Sequence, residues 1–438
     1  MKTAVLKFGG SSLADSAQIK KATDIIKSDP ARRFVVCSAP GKRFDDDIKV
    51  TDMLLMCYKK SAKGEEFEAE LEAVKDRFKE IIDDLGVDFD LEPEFKVIKE
   101  DMKAGATQGY VLSRGEYLNA KIIAAYLGYN FVDAKDCIHF DARGSLEASY
   151  TNASLKENLN GLENAVIPGF YGAGPKGDIL TFSRGGSDIT GSLVAKAIGA
   201  DVYENWTDVS GLLAADPKII DNPRTVNYIS YRELRTLSYM GATVLHADAV
   251  YPVNEAGITV NIRNTNDPEN PGTMIVSKLP SEREKHTITG VAGRKGLSVI
   301  QAEKIMVSDE AGFTAIILDI FKAYQVPFEQ CLTGIDTVTV IIRADYFREN
   351  KEELLKAIED QVHPDTLFVR ENLAMIAVVG ESDADYVGST VAILGAVSAA
   401  GIELNTINQG AGSLNLIIGV EEKDYENAIR AIYNSIQR

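Results

Sequence analysis

Over the first 265 or so residues, short apolar runs alternate with stretches of helical periodicity. Residues 4–8 (AVLKF) predict a strand, Gly9-Gly10-Ser11-Ser12 a turn, and residues 16–27 a helix. Residues 33–39 (RFVVCSA) are a continuous apolar run, the pattern of a parallel strand buried on both faces. Further strands are predicted at 130–134, 165–170, 179–183, 201–207 and 258–263, and helices at 116–127 and 188–198. This βαβα rhythm predicts an α/β domain on a mostly parallel sheet. Residues 65–103 interrupt it with a charged, helix-favouring stretch. That stretch reads as an inserted helical subdomain, at about 60–105, with a solvated face and no chemistry of its own.

Residues 264–280 are rich in Asn, Asp and Pro, which marks the end of the α/β unit. The domains expected are therefore 1–285 and 286–438. In the second region Phe313, Ile316, Ile317, Ile320, Phe321 and Tyr324 share one spacing with Tyr425, Ala428, Ile429, Ile432, Tyr433 and Ile436. Each set makes one apolar helical face. Alternating strands accompany them, through Val338, Val340 and Ile342 and through Leu414, Leu416, Ile418 and Val420. Another helix, carrying Val391, Leu394 and Val397, follows the apolar run 375–379. Two βαββαβ modules would produce this pattern; a single irregular domain is the plainer alternative.

A chain of 438 residues exceeds what one hydrophobic core organises. Its net charge of −18 argues against nucleic-acid and anionic-membrane partners. A phosphate ligand stays open, since a small anion needs only a local positive site. The run MKTAVLKFGGSS is too short and too broken by Lys7 for a signal peptide, and no window suggests a membrane span. Cys37, Cys57, Cys137 and Cys331 form no CxxC pair, and His139, His246, His286 and His363 are dispersed. Reduced thiols, a cytoplasmic location and no zinc site are expected.

Two glycine-rich junctions carry the candidate chemistry. Lys7-Phe8-Gly9-Gly10-Ser11-Ser12 runs from a strand into a helix. Glycines let backbone N–H groups close on phosphate oxygens, the helix adds its dipole, and Lys7 can reach a transferring phosphoryl group. Ser183-Arg184-Gly185-Gly186-Ser187-Asp188 repeats the arrangement with a guanidinium and a carboxylate. Ser187 or Asp188 there would otherwise be a simple helix cap. Gly41-Lys42-Arg43 lacks the remaining residues of a P-loop. The literal GxGxxG at 172–177 contains Pro175 and precedes a strand-like run, so it reads as a hairpin loop.

KFGGSS (7–12), SRGE (113–116), PGFYG (168–172), SRGGSD (183–188), WTDVSG (206–211), ADPK (215–218) and GATVLH (241–246) occur in one order. Together they resemble the aspartate kinases of the amino acid kinase superfamily. GFTAIILDIF (312–321) and INQGAGSLNLIIGV (407–420) resemble that family's tandem ACT domains. The resemblance implies ATP-dependent phosphorylation of the L-aspartate side chain, the first step toward lysine, threonine and methionine. It puts Lys7, Gly9, Gly10 and Ser11 at the phosphates, with Asp188 beside Lys7. Ser38, Thr51, Glu116, Phe170, Arg184 and Ser187 would line the aspartate pocket, Arg184 clamping a carboxylate and Glu116 pairing the ammonium. Without the resemblance, Glu116 could equally be an exposed helix charge. Thr207, Asp208, Asp216 and Lys218 would surround the nucleotide, with Mg²⁺ held mainly by ATP oxygens and water. Leu213, Lys218 and Thr243 stand where many relatives carry tyrosine, arginine and lysine, which touches the base and ribose contacts.

In the first ACT-like module, Glu329 and Asp336 are two carboxylates suited to a cationic side chain, which favours L-lysine over threonine as effector. Both could also be ordinary surface acids. The resemblance adds Phe313, Thr314, Asn408 and Gln409 to that site, and implies a homodimer or dimer of dimers through the ACT modules. Kinases acting on glutamate or N-acetylglutamate are the nearest alternative, though they usually lack tandem ACT modules. An amino-acid sensor without catalysis is another, against which Lys7, Arg184 and Asp188 speak.

Overall fold

The computed structural model describes residues 2–183, 185–242, 245, 247–280, 288–306, 312–380, 388–410 and 415–436. The chain forms two compact units. One holds Met1–Leu212, Thr225–Arg235 and Val244–Arg283; the other holds Leu213–Arg224, Thr236–Thr243 and Glu284–Arg438. The boundary expected near residue 285 lies outside the described residues.

The chain begins β1 (Ala4–Phe8), α1 (Ser16–Lys27) and β2 (Arg32–Cys37). Helices α2 (Val50–Ala62), α3 (Glu68–Leu85), α4 (Glu92–Lys103) and α5 (Gln108–Leu127) follow. Next come β3 (Asn130–Phe131), α6 (Ala148–Leu159), β4 (Ala165–Pro168), β5 (Tyr171–Ala173) and β6 (Ile179–Thr181). Then come α7 (Gly186–Ile198), β7 (Val202–Thr207), β8 (Leu212–Leu213), β9 (Thr225–Val226), β10 (Tyr228–Ser230) and α8 (Tyr231–Tyr239). Helix α9 (Tyr251–Glu255), β11 (Thr259–Asn264) and β12 (Thr273–Val276) complete this part.

Eight strands pair in the order β10-β12-β11-β7-β1-β2-β4-β3. Every pairing is parallel except β11 with β12. All five residues of β1 are buried, Lys7 included, because the strand lies mid-sheet with both faces covered. Hairpin β5–β6 encloses the GxGxxG loop, as its proline implied. Helix α5 starts two turns earlier than its apolar pattern suggested. Thr107 caps it by accepting from the Tyr110 N–H, and Gly109 and Gly115 had hidden the periodicity.

The charged stretch at 65–103 is not a separate subdomain. Leu71, Val74, Phe78 and Ile81 of α3 and Phe95 and Ile98 of α4 share one core with Leu6, Phe8, Ile19 and Leu118. A second buried group is polar. Glu204 accepts from Arg32 Nε at 2.9 Å and from Trp206 Nε1 at 2.9 Å. The Trp206 ring lies between the guanidiniums of Arg32 and Arg263, at 5.3 and 4.7 Å. Each charge is therefore paired where it leaves water, as burial requires.

The other unit is built on β13 (Gly290–Glu303), α10 (Phe313–Ala323), β14 (Phe328–Thr333), β15 (Thr337–Arg343) and α11 (Ala344–Val362). It continues with β16 (Thr366–Val379), α12 (Ser389–Ala399), β17 (Thr406–Gln409), β18 (Leu416–Glu421) and α13 (Tyr425–Ile436). Both βαββαβ modules are present, and they share one antiparallel sheet of order β14-β15-β13-β16-β18-β17. Strands β13 and β16 pair along nearly their whole length. The half of β13 from Leu297 onward pairs with β15, and the half of β16 from Leu373 onward pairs with β18. The second module thus takes a strand, Gly290 to Arg294, from ahead of the first. Leu414 of the predicted last strand lies outside the described residues.

Among the described residues no helix is long and apolar enough to cross a membrane.

Candidate active site

The site forms at the carboxyl ends of β1, β2 and β7, where parallel sheets commonly receive ligands. After β1 the Gly9 N–H donates to the Trp206 carbonyl at 2.9 Å, and Ser11–Leu13 makes a short 3₁₀ turn before α1. The loop after β2 packs directly on these glycines. A Cβ on Gly41 would fall 2.6 Å from the Gly10 carbonyl carbon, so this approach needs glycine.

A cavity of about 710 Å³ opens there. Of the predicted site residues, Gly9, Gly10, Ser11, Ser38, Thr51, Glu116, Thr207 and Asp208 line it. Glu116 is no exposed helix charge: it is 5% exposed, and its Oε2 has no hydrogen-bond partner. Burial pushes its carboxyl up to about 8, against the opposing pull of the Ala39 N–H and the Arg114 charge. Three residues on, Asn119 donates from Nδ2 to the Ser38 carbonyl at 2.7 Å and fixes that wall. Its spacing from Glu116 was the sequence signal for it, and the motif reading passed over it.

Close to Gly9, where a Cβ would fall 3.7 Å from the ammonium, Lys7 Nζ lies 2.6 Å from Asp188 Oδ1. Asn205, beside Lys7 on β7, donates to the same oxygen at 2.8 Å. Helix α7 can approach because Gly191 faces Tyr203, whose hydroxyl would meet a Cβ there at 2.6 Å. The cap of α7 is Gly185, with φ 58° and no side-chain bond, so neither Ser187 nor Asp188 is spent on capping. A Cβ on Gly169 would sit 2.6 Å from Ser187 Oγ, which brings Phe170 and Ser187 together. Phe170 holds φ 81°, a strained value for an aromatic residue, with its N–H on Thr190 Oγ1 at 3.2 Å. Arg184 lies outside the described residues, as does Thr243.

Asp216 and Lys218 are not in this cavity's lining. They belong to the second unit, exposed, with Asp216 Oδ1 accepting from the Lys218 N–H at 2.9 Å. The lining also takes in a loop that motif matching had set aside, which contributes Lys42, Arg43, Phe44, Asp45 and Lys49. Among the described residues no group of three His, Cys, Asp or Glu side chains is arranged to hold a metal ion.

The six expected effector residues do not meet within one chain. Glu329 is on β14 and Asn408 and Gln409 are on β17, at opposite edges of the sheet. Five strand spacings, on the order of 24 Å, separate them. Phe313 and Thr314 begin α10. The Glu329 side chain is 7% exposed, with Oε1 accepting from Arg294 at 3.0 Å and Oε2 unpartnered. Asp336 Oδ1 accepts from the Met306 N–H at 3.0 Å.

A mostly parallel sheet with two glycine-rich junctions at its carboxyl edge, joined to paired βαββαβ modules, defines an amino acid kinase with an ACT region. Family profiles agree: the amino acid kinase family matches residues 2–264, and an ACT domain matches 376–436. Aspartokinase 3 of Bacillus subtilis (strain 168) is 37% identical over 98% of this chain and 97% of its own length. The crystal structure of Clostridium acetobutylicum aspartate kinase, described as an allosteric enzyme, superposes with a TM-score of 0.89 at 42% identity, covering 100% of both chains. Escherichia coli aspartokinase III covers 100% of both chains in two states. With aspartate and ADP (R-state) its TM-score is 0.77 at 22% identity, and with lysine and aspartate (T-state) 0.73 at 23%, a likeness of fold. This chain belongs to the aspartokinase family.

Proposed function

We propose that this chain transfers the γ-phosphoryl group of ATP to the side-chain carboxylate of L-aspartate, and that L-lysine inhibits it. The observation that carries the reaction is the buried Lys7–Asp188 pair together with a cavity lined by Gly9, Gly10 and Glu116, whose Oε2 has no hydrogen-bond partner.

The aspartate side chain, with a free pKa of about 3.9, is already ionised at neutral pH and needs no strong base. A carboxylate oxygen attacks the γ-phosphorus. The bond to the bridging oxygen of the β-phosphate breaks, and ADP leaves with that electron pair, giving 4-phospho-L-aspartate. The obstacle is the approach of one anion to another, so catalysis consists of alignment and charge neutralisation. Lys7 meets the charge on the γ-phosphoryl oxygens, and Asp188 positions Lys7. Backbone N–H groups at Gly9, Gly10 and Ser11 hold the phosphates. Glu116, once ionised, pairs the substrate ammonium, and Arg184 takes a carboxylate bidentately. Ser38, Thr51, Phe170 and Ser187 shape the pocket, while Thr207 and Asp208, which line the cavity, serve the nucleotide. Asp208 and Thr207 are oxygen donors on the cavity wall, which suits Mg²⁺ held mainly by phosphate oxygens and water. When bound, that ion neutralises phosphate charge.

The lysine-bound T-state of the Escherichia coli enzyme supports lysine as effector, with threonine as the alternative. Glu329 and Asp336 would receive the cationic side chain. Because Glu329 and Asn408 lie on opposite sheet edges, a site using both needs ACT modules of two chains, which supports a homodimer or dimer of dimers. A cytoplasmic location fits four free cysteines among the described residues.

The test is hydroxylamine trapping of the acyl phosphate with Mg-ATP and L-aspartate, with and without L-lysine. Aspartyl hydroxamate that falls on adding lysine supports both parts. Product indifferent to lysine overturns the effector, and no product from folded protein overturns the reaction.

A further inference from the structure

Helix α3 belongs to the stretch whose charges suggest nothing but a solvated face, yet Arg77 on it is 5% exposed. Its Nη2 donates to the Ala14 carbonyl at 2.8 Å and to the Gly41 carbonyl at 3.0 Å. Its Nη1 donates to Asp47 Oδ2 at 2.8 Å. Ala14 directly follows the turn after Gly9-Gly10, and Gly41 and Asp47 lie in the loop whose Lys42 and Lys49 face the same cavity. Asp47 also accepts from the Arg43 N–H and from Arg43 Nε, both at 2.9 Å. One buried guanidinium therefore ties the end of the Gly9-Gly10 turn to the loop that carries Lys42 and Lys49, near the point where Gly10 and Gly41 touch.

We propose that Arg77 is a positioning residue for the triphosphate, holding the loop that carries the cavity-lining Lys42 and Lys49 in place against the Gly9-Gly10 turn. The inference rests on the kinase reading and deepens it. A fork with several fixed donors can hold two carbonyls and a carboxylate together; a lysine has one point charge and cannot match all three.

The experiment measures KM for MgATP, KM for aspartate and kcat of Arg77→Lys, with the dissociation constant for ADP by calorimetry. Both are measured in the native background and in the Lys42→Ala/Lys49→Ala background. The expected result is a rise in KM for MgATP and in the ADP dissociation constant on the order of tenfold, from weakened charged hydrogen bonds. KM for aspartate should change little, and the nucleotide effect should nearly vanish in the double-lysine background. A thermal shift with unchanged nucleotide constants overturns the proposal, as does the same effect in both backgrounds. Should Arg77→Lys not fold, Asp47→Asn, which weakens the loop end of the same clamp, is read by the same constants. If the native protein makes no aspartyl hydroxamate, the kinase reading fails, while the ADP constants still decide the role of Arg77.

Discussion

Lys7 and Asp188 lie far apart in the sequence and meet at 2.6 Å, one on the central strand and one in the first turn of α7. Asn205 donates to the same Asp188 oxygen, so the carboxylate is held from two strands at once. In the proposed reaction, a lysine fixed in this way meets the phosphoryl group without reorganising during transfer, which is where electrostatic catalysis gains most.

Lys7→Ala should lower kcat by on the order of hundreds-fold or more, as for removal of a key charge stabiliser. Asp188→Asn should cost less, because Lys7 keeps its charge and loses only its anchor. Initial rates of hydroxamate formation rank the two; near-normal turnover in Lys7→Ala would remove that residue from the mechanism.

Glu116 predicts a pH dependence of substrate binding. Its carboxyl is pushed up to about 8 by burial, and an ammonium is bound best by the ionised form. KM for aspartate should therefore fall as pH rises toward about 8. Glu116→Gln should raise KM and flatten the profile. A profile equally steep in the variant would assign the titration to another group.

The same residue gives a stability prediction of definite sign. The folded carboxyl holds its proton up to about 8, whereas the exposed group releases it near 4.5. The folded state binds more protons across that window, so this contribution to stability is full below the lower value and is lost as pH rises through the upper one. Urea midpoints at about pH 5.5 and about pH 8.5 should differ more for the native chain than for Glu116→Gln.

Gly41→Ala places a methyl 2.6 Å from the Gly10 carbonyl carbon, so two backbones must part. The expected cost is about 1–3 kcal/mol, with weaker ADP binding because the phosphate turn moves. Thermal unfolding and calorimetry on one preparation check both; unchanged nucleotide affinity would show that the glycine contact does not shape the cavity.

Glu329→Lys should abolish inhibition by lysine while leaving the uninhibited rate close to native. Arg294→Ala, which frees the buried Glu329 carboxylate, should alter the inhibition constant without abolishing it. Inhibition curves with L-lysine distinguish these outcomes, and unchanged inhibition in Glu329→Lys would move the effector elsewhere.

What the sequence determined by itself was local. The strand at residues 4–8, the helix after Gly9-Gly10, and the apolar faces carrying Phe321 and Ile432 follow from contacts within a few residues, which propensity and periodicity encode. Tertiary structure alone decided where polar side chains end up. Arg77 reads as a charge on a solvated helix face, and Glu116, the resemblance aside, could equally be one; yet Glu116 is a buried carboxylate in the cavity and Arg77 a clamp between loops. The strand lent by Gly290 to Arg294 to the later module, and the placing of 213–224 with the C-terminal unit, depend equally on distant partners. Burial is set by what packs against a residue from elsewhere in the chain, and no local pattern carries that information.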